Sequence, residues 1–415
     1  MDAIRITGGV PLDGEIAVQG SKNAALPLMA AAVLNKGVTV LFGCPRISDV
    51  FSMEEVLRSL GARTRWEQDA LILDTGPMDQ VKVKRELGEK MRSSIVLLGS
   101  LLGRFGEAVL PYPGGCVIGQ RPVDLHLAAL EKLGARFYEE DGMLHAKAQR
   151  LAGGEICFAK PSVGATQNAV LGAVCAPGRT VIRGCSREPE VTWLCRFLNL
   201  AGGRIRGIGT GCLKIQGVPS LHDTGMQIPA DRIAAGTYVC ASAVTRGRGI
   251  LRNAPVGEMG ALLHVYEKMG GQYAFNSGKL SLCSCGVKNP VRGLRTQVYP
   301  GFPTDLQSVL VAVLATVKGE SYVEETIFED RFKAVPELVR MGADITVCRS
   351  TAHIRGRDLS GARVCARELR GGAALVVAGL AAEGETCVEN RHFIERGYED
   401  ICRDLSLLGA CIRKD

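Results

Sequence analysis

Six places along the chain put a charged or polar residue where a strongly apolar segment begins. They are Lys22–Asn23, Arg92, Ser162–Gly164, Asp231–Arg232, Thr304–Asp305 and Arg370–Gly371. A second series falls in the loop after the strand that follows each segment: Arg46, Arg121, Arg187, Glu258, Arg331 and Arg396. If the apolar segments are helices, their N-termini supply unpaired N–H groups and the positive ends of dipoles. With Lys22, Arg92, Arg121, Arg331, Arg370 and Arg396 at the same end of each module, the chemistry predicted is capture of a ligand with several negative charges. A single arginine near a helix end is equally explained by solvation or a neighbouring acid, and Arg46 and Arg187 are read that way.

Two further residues could react rather than merely bind. The run PYPGGCVIGQRPVDLH, residues 111–126, departs from the rest of the pattern with two prolines and a Gly-Gly pair before Cys116. A thiol on an electropositive, glycine-rich loop has the setting of a lowered pKa, and can serve as an acid or a nucleophile. Asp305 starts an apolar segment among cations. There it fits two roles equally: an N-cap accepting backbone N–H groups, or a catalytic base. His126 is read as structural. No GxxxxGK[ST] loop and no strand-borne GxGxxG occurs, which argues against P-loop and Rossmann chemistry. None of the 15 cysteines falls in a CxxC zinc spacing. A zinc site therefore has no support. The scattered thiols suggest a reducing compartment instead of a disulfide framework.

The elements that must hold these residues come in a sixfold repeat. A helical stretch ends at a Leu/Met-Gly-Ala-like stop in LRSLGARTRW, LEKLGARFYE, LNLAGGRIRG, YEKMGGQYAF, LVRMGADITV and LSLLGACIRK. The stop glycines, Gly61, Gly134, Gly202, Gly270, Gly342 and Gly409, lie 67 to 73 residues apart. Between them runs a second feature in phase with the first: segments such as SKNAALPLMAAAVLNKG and FPTDLQSVLVAVLATVKG, apolar nearly all round and therefore predicted to be fully buried helices. The stop helices, as in VTWLCRFLNLAGG, are amphipathic. A strand such as GVTVLFG or GRTVIRG follows each apolar helix. The predicted fold is α/β, built from six repeated βαβαββ units of about 70 residues, with buried helices surrounded by sheets.

Composition narrows the partners. Aromatic residues are only 5%, too few for stacking platforms that bind single-stranded nucleic acid. The net charge of +7 is dispersed over the units rather than gathered in a stripe, so no nucleic-acid partner is expected. The longest apolar run, Ala24 to Leu34, is about half the roughly 20 residues of a membrane span. No signal-peptide pattern opens the chain. A cytoplasmic protein with no membrane and no obligate protein partner is predicted.

Over essentially its whole length the chain resembles the UDP-N-acetylglucosamine 1-carboxyvinyltransferases of the enolpyruvyl transferase family. The motifs are GGVPLDGEIAVQGSKNAALP, PGGCVIGQRPVDLH, KPSVGAT, FPTDLQ, ETIFEDRF, RGGAALVVAG and IERGYE. The resemblance implies a two-domain inside-out α/β barrel, with residues 22–229 as one domain and 1–21 joined to 230–415 as the other, and the active-site cleft between them. It implies transfer of enolpyruvate from phosphoenolpyruvate to the 3-hydroxyl of UDP-N-acetylglucosamine with release of phosphate, and implies no metal or organic cofactor. That is the committed step of peptidoglycan precursor synthesis, and so of cell-wall biogenesis, cell shape and division.

By motif, the resemblance makes Cys116 the proton-transferring thiol that fosfomycin alkylates, and Asp305 the base or proton carrier. It gives the phosphate to Lys22, Arg121 and Arg396, with Arg92 and Arg331 nearby, and the carboxylate side to Arg370. Asn23 would touch the sugar. Arg121, Pro122, Val123, Asp124, Leu125, Lys160, Ser162, Val163 and Gly164 would line the uridine-diphosphate pocket, with backbone from Ile327. The Gly-Gly pair after Arg370 departs from the family's usual small polar or alanine residues and predicts a looser helix start. Two alternatives stay open at this point: the sister transferase acting on shikimate 3-phosphate, and a catalytically silent paralogue that binds nucleotide sugar.

Overall fold

The computed structural model describes residues 2–112 and 122–415. Cys116 and Arg121 lie outside the described residues. The chain divides into two compact units. Among the described residues, one takes in the N-terminal residues up to Gln19 and Ala230–Asp415, and the other residues 20–112 and 122–229.

Each unit is organised around apolar helices. In the 20–229 unit these are Lys22–Ala32, Leu97–Phe105 and Val163–Ala173; in the other they are Arg232–Thr245, Gln307–Leu314 and Leu369–Ala381. Every residue from Ile233 to Val244 is buried, and so is every residue of Gln307–Leu314. These helices carry almost no polar face because no face meets water, as the sequence pattern required. Each fully buried Leu or Val contributes about 1.5–3 kcal/mol relative to exposure. Two of the hydroxyls inside them are satisfied by near neighbours: Thr237 Oγ1 donates to the Ile233 carbonyl at 3.0 Å, and Ser242 Oγ lies 2.8 Å from Ser284 Oγ. Ser100 Oγ, inside Leu97–Phe105, is buried with no hydrogen-bond partner.

Among the described residues the strands form six sheets, five of four strands and one of three. The plan repeats. A short first strand runs parallel to the strand that follows the buried helix, and that strand pairs antiparallel with a hairpin. In one sheet Glu155–Cys157 is parallel to Arg179–Arg183, which pairs antiparallel with Cys212–Gln216. In the three-stranded sheet a single bridge, Lys82 to Val109, stands where the others have their first strand.

Three units are completed by distant segments, which the linear sixfold count does not reveal. Thr224–Gln227 supplies the first strand beside Val38–Phe42. Glu15–Ala17 does so for Arg248–Arg252. Ala3–Thr7 enters the last sheet between Glu385–Glu389 and Cys411–Lys414. Thr224–Gln227 and Glu15–Ala17 are short edge strands that cover the longer strand beside them, whereas Ala3–Thr7 is internal to its sheet; short edges are one way of limiting the liability of unpaired backbone.

All six stop glycines adopt positive φ, from 92° to 102°, directly after a helix. Only glycine takes that conformation without a Cβ penalty, which explains the regularity of the signal. The stops after the buried helices are less uniform. In the first and fourth units the left-handed residue is Lys36 or Arg246, one position ahead of the glycine. There the glycine answers a different demand. A Cβ on Gly37 would lie 2.1 Å from Asp223 Oδ1, and one on Gly247 would meet the Leu12 backbone at 2.4 Å.

No helix among the described residues is long and apolar enough to cross a membrane. The described cysteines are all free thiols. No group of three or more His, Cys, Asp or Glu side chains is arranged to hold a metal ion among the described residues.

Candidate active site

In the 20–229 unit, Lys22 is the first residue of its buried helix, behind Ser21, whose hydroxyl accepts the Ala24 N–H at 3.3 Å. The Lys22 ammonium meets Asp49 Oδ2 at 3.0 Å, with the two side chains only 13% and 7% exposed. A charge so shielded needs a partner, and Asp49 provides it from the first turn of Ser48–Ser59. Asn23, half-buried, shares the first turn with Lys22. Arg92 opens a 3-10 turn, Arg92–Val96, ahead of Leu97–Phe105.

The two stretches assigned to the uridine-diphosphate pocket are joined by His126. Pro122 and Asp124 are exposed, Val123 is buried and Leu125 half-buried, at the start of Asp124–Glu131. Lys160 is exposed, and Ser162 caps Val163–Ala173 by accepting the Ala165 N–H at 3.4 Å. The His126 ring lies against Gly164, where an added Cβ would come within 2.7 Å of Cε1. Its Nδ1 is 2.8 Å from Asn168 Nδ2. The Asn168 amide is oriented independently: its oxygen accepts the Gly99 N–H at 2.7 Å, and its nitrogen donates to the Ile95 carbonyl at 2.9 Å. Asn168 therefore donates to His126, and the imidazole is neutral at Nδ1 with its proton on Nε2.

Gly164→Ala should thus be costly, because the ring cannot retreat without breaking that network. The expected loss is roughly 1–3 kcal/mol of stability, read as a lowered denaturant midpoint. An unchanged midpoint would show that the ring yields freely.

In the other unit the charges gather around Asp305. It sits in a 3-10 turn, Thr304–Leu306, preceding Gln307–Leu314. The cap position of that turn is Pro303, with no side-chain bond, so Asp305 is not an N-cap. Its carboxylate instead spans two guanidiniums: Arg331 Nη2 at 2.7 Å and Arg370 Nη2 at 3.1 Å. Both arginines are nearly inaccessible, at 3% and 4% exposure. Burial alone would lower the Arg370 pKa, but Asp305, Tyr398 and Asp231 outweigh it and raise the value. Arg370 is therefore a permanent cation. Tyr398 is pushed upward by burial despite Arg370 and the Thr237 hydroxyl, 2.7 Å away, and stays a neutral phenol.

The helix carrying Arg370 is firmly begun. Glu368 caps it, accepting the N–H groups of Arg370 at 2.7 Å and of Gly371. The looser start expected from Gly371–Gly372 is not seen. A Cβ on Gly372 would lie 2.7 Å from Ile394 Cγ1, so the glycine lets the Arg391–Arg396 turn approach closely. Arg396 is half-buried at the end of that turn. Buried Gln19 fixes the next residues: its amide donates to the Gly397 carbonyl at 3.0 Å and its oxygen accepts the Glu399 N–H at 2.9 Å. Its own carbonyl accepts the Asp231 N–H at 2.9 Å. Glu325 plays a similar part near Asp305, accepting from Thr296 Oγ1 and Thr304 Oγ1, both at 2.9 Å, and from the Ile327 N–H at 2.8 Å.

Comparison with known proteins decides what this arrangement belongs to. Residues 6–405 match the family described as EPSP synthase, 3-phosphoshikimate 1-carboxyvinyltransferase. UDP-N-acetylglucosamine 1-carboxyvinyltransferase 2 of Caldanaerobacter subterraneus subsp. tengcongensis is 45% identical, over 99% of both chains. The UDP-N-acetylglucosamine 1-carboxyvinyltransferase of Granulibacter bethesdensis is 44% identical, over 100% of this chain and 99% of its own. The chain belongs to the UDP-N-acetylglucosamine 1-carboxyvinyltransferase family. Among solved structures, the enolpyruvyl transferase NikO of Streptomyces tendae superposes with a TM-score of 0.88 at 25% identity, covering 99% of this chain and 98% of its own. EPSP synthase of Acinetobacter baumannii gives 0.77 at 16% identity over both full chains, a likeness of fold. The two-domain α/β architecture of repeated units is that of the enolpyruvyl transferases.

For a chain of this family, sequence reasoning found the cations but missed what holds them. Asp49, Gln19, Glu325, Glu368 and Tyr398 went unremarked. Glu368 was readable as an acid just before a helix start. Gln19 and Asp49 were not, because their partners lie 378 and 27 residues away. Arg46 and Arg187 keep local roles: Arg46 donates to the Gln68 carbonyl and lies over Trp66, and Arg187 reaches the Gly209 carbonyl.

Proposed function

We infer that the chain acts as its relatives are named to act: it transfers the enolpyruvyl group of phosphoenolpyruvate to UDP-N-acetylglucosamine and releases phosphate. It is an enzyme of peptidoglycan precursor synthesis and a fosfomycin target. The observation that carries this reading is likeness at 45% identity from end to end. The family description names the shikimate acceptor, but the relatives at 42–45% identity are named for the nucleotide sugar.

The reaction sets physical demands. A phosphate, a carboxylate and a diphosphate must share one site, so several charge-assisted hydrogen bonds must offset their desolvation and repulsion. Carbon 3 of the enol gains a proton as carbon 2 is attacked, and the methyl group later loses one. An acid near carbon 3, a base near the sugar 3-hydroxyl and clamps on the phosphate are needed.

In our assignment Cys116 supplies the proton-transferring thiol and Asp305 the base. Lys22, Arg121 and Arg396 clamp the phosphate, with Arg92 and Arg331 adding field, and Arg370 serves the carboxylate. Asn23 touches the sugar. Pro122, Val123, Asp124, Leu125, Lys160, Ser162, Val163 and Gly164 line the nucleotide pocket. Ile327 contributes its carbonyl, since Glu325 takes its N–H. The domain division 22–229 against 1–21 with 230–415 belongs to the same reading. Its support is chemical. Lys22, Arg331 and Arg370 are shielded cations held by carboxylates, which an incoming anion can engage without first ordering them.

Phosphate release from phosphoenolpyruvate with UDP-N-acetylglucosamine, against shikimate 3-phosphate, tests the reading. Release with the nucleotide sugar alone is expected. Release only with shikimate 3-phosphate would make it the sister transferase, and a flat trace with both would leave a nucleotide-sugar sensor. Cys116→Ser should abolish covalent labelling by fosfomycin; labelling of the variant at the wild-type level would remove Cys116 from its assigned role.

A further inference from the structure

Strand Lys279–Cys283 ends at Cys283, and Ser284 and Cys285 follow it into a turn. Within the strand, alternation buries Leu280 and Leu282 and turns Cys283 outward. Ser284 is fully buried, its hydroxyl 2.8 Å from Ser242 Oγ and 2.7 Å from the Tyr266 hydroxyl. Those bonds hold Ser284 inward, while Cys283 is half-exposed, Cys285 is exposed, and the two cysteine side chains interact. Arg248 pairs directly with Cys283 in the neighbouring strand, and its exposed guanidinium interacts with the Cys285 thiol. The Cys283 thiol is held below its ordinary pKa by the Cys285 backbone N–H, by the Cys285 side chain and by Arg248. Two sulfurs and a cation are thus gathered at the surface. No other exposed cysteine among the described residues, Cys157, Cys348 or Cys411, has a second cysteine two positions away.

We propose that Cys283 and Cys285 form a dithiol modification site, oxidised by low-molecular-weight disulfides to an intramolecular disulfide, with Arg248 stabilising the attacking thiolate. The first thiol, ionised by losing its proton, attacks one sulfur of the small disulfide. The S–S bond breaks, one half leaves as a thiolate that takes up the proton, and a mixed disulfide remains. The second thiol attacks that mixed disulfide and expels the other half in the same way. Two protein thiols and one small disulfide give one protein disulfide and two small thiols. Fully extended, residues two apart have Cα atoms about 6.8 Å apart, the upper limit of the roughly 4.4–6.8 Å a disulfide spans, so closure requires the segment after Cys283 to leave the extended conformation. The turn that begins at Cys285 can shorten the span.

The test is to expose the intact enzyme to oxidised glutathione and map the thiols by peptide mass spectrometry over time. A Cys283–Cys285 disulfide should form before any adduct on Cys157, Cys348 or Cys411. Cys285→Ser should trap one glutathione on Cys283, and Arg248→Gln should slow the wild-type reaction several-fold. The proposal is overturned if both thiols stay reduced while the other three are modified, or if the wild-type chain accumulates a stable adduct on Cys283 without closing. The readout is covalent chemistry and does not depend on the transferase assignment. Transferase activity of Cys285→Ser should match the wild type.

Discussion

Asp305→Asn is expected to lower kcat by about 10²–10⁴-fold, the range general acid–base catalysis supplies, while KM for phosphoenolpyruvate stays level or falls. The split follows from the pairing. Asp305 is the carboxylate that both Arg331 and Arg370 hold, at 2.7 and 3.1 Å. An asparagine oxygen can still accept from one guanidinium, but its NH2 then faces the other as donor against donor. The site loses a negative charge, which favours an anionic substrate, and on the proposed role it also loses its base. Steady-state kinetics on protein shown to be folded by circular dichroism separates the two effects. A near-wild-type kcat would reduce Asp305 to a counter-ion for the two arginines. A fall in kcat/KM owed only to KM would do the same.

Lys22→Gln should act on stability and activity together. The substitution leaves the Asp49 carboxylate, in a side chain 7% exposed, without its ammonium partner at 3.0 Å. Weakening a shielded charge in this way costs roughly 1–3 kcal/mol, visible as a lower denaturant midpoint. On the proposed role it also removes a phosphate clamp, so kcat/KM for phosphoenolpyruvate should drop by about 10²-fold, the scale of a lost charge-stabilising group. The double variant Lys22→Gln/Asp49→Asn separates the contributions. Removing both partners should recover most of the stability and little of the activity. Recovery of both together would mean that Lys22 serves only to neutralise Asp49.

The stop glycines and the apolar segments were legible because each reflects a local constraint. A residue that must take a left-handed conformation after a helix is glycine wherever it occurs, hence the six values near 100°. A helix that meets no water shows no polar stripe, hence runs such as Gln307–Leu314. Those two constraints, repeated every 67 to 73 residues, were enough for the sixfold count and for the cations at the helix starts. The pairing of Asp305 with Arg331 and Arg370 was not legible: a short acid near a helix start reads equally as a cap.

By itself, then, the sequence determined the repeat, the buried helices, the positions of Lys22, Arg92, Arg331, Arg370 and Arg396, and the family its motifs resemble. The tertiary structure alone decided which charges face one another. Asp305 reaches Arg370 across 65 residues and Gln19 reaches Gly397 across 378. It also decided that Ala3–Thr7 closes the last sheet instead of standing apart. The physical reason is range: helix stops and apolar faces are set by a few neighbouring residues, whereas a buried ion pair or a borrowed strand exists only once packing has brought distant segments together.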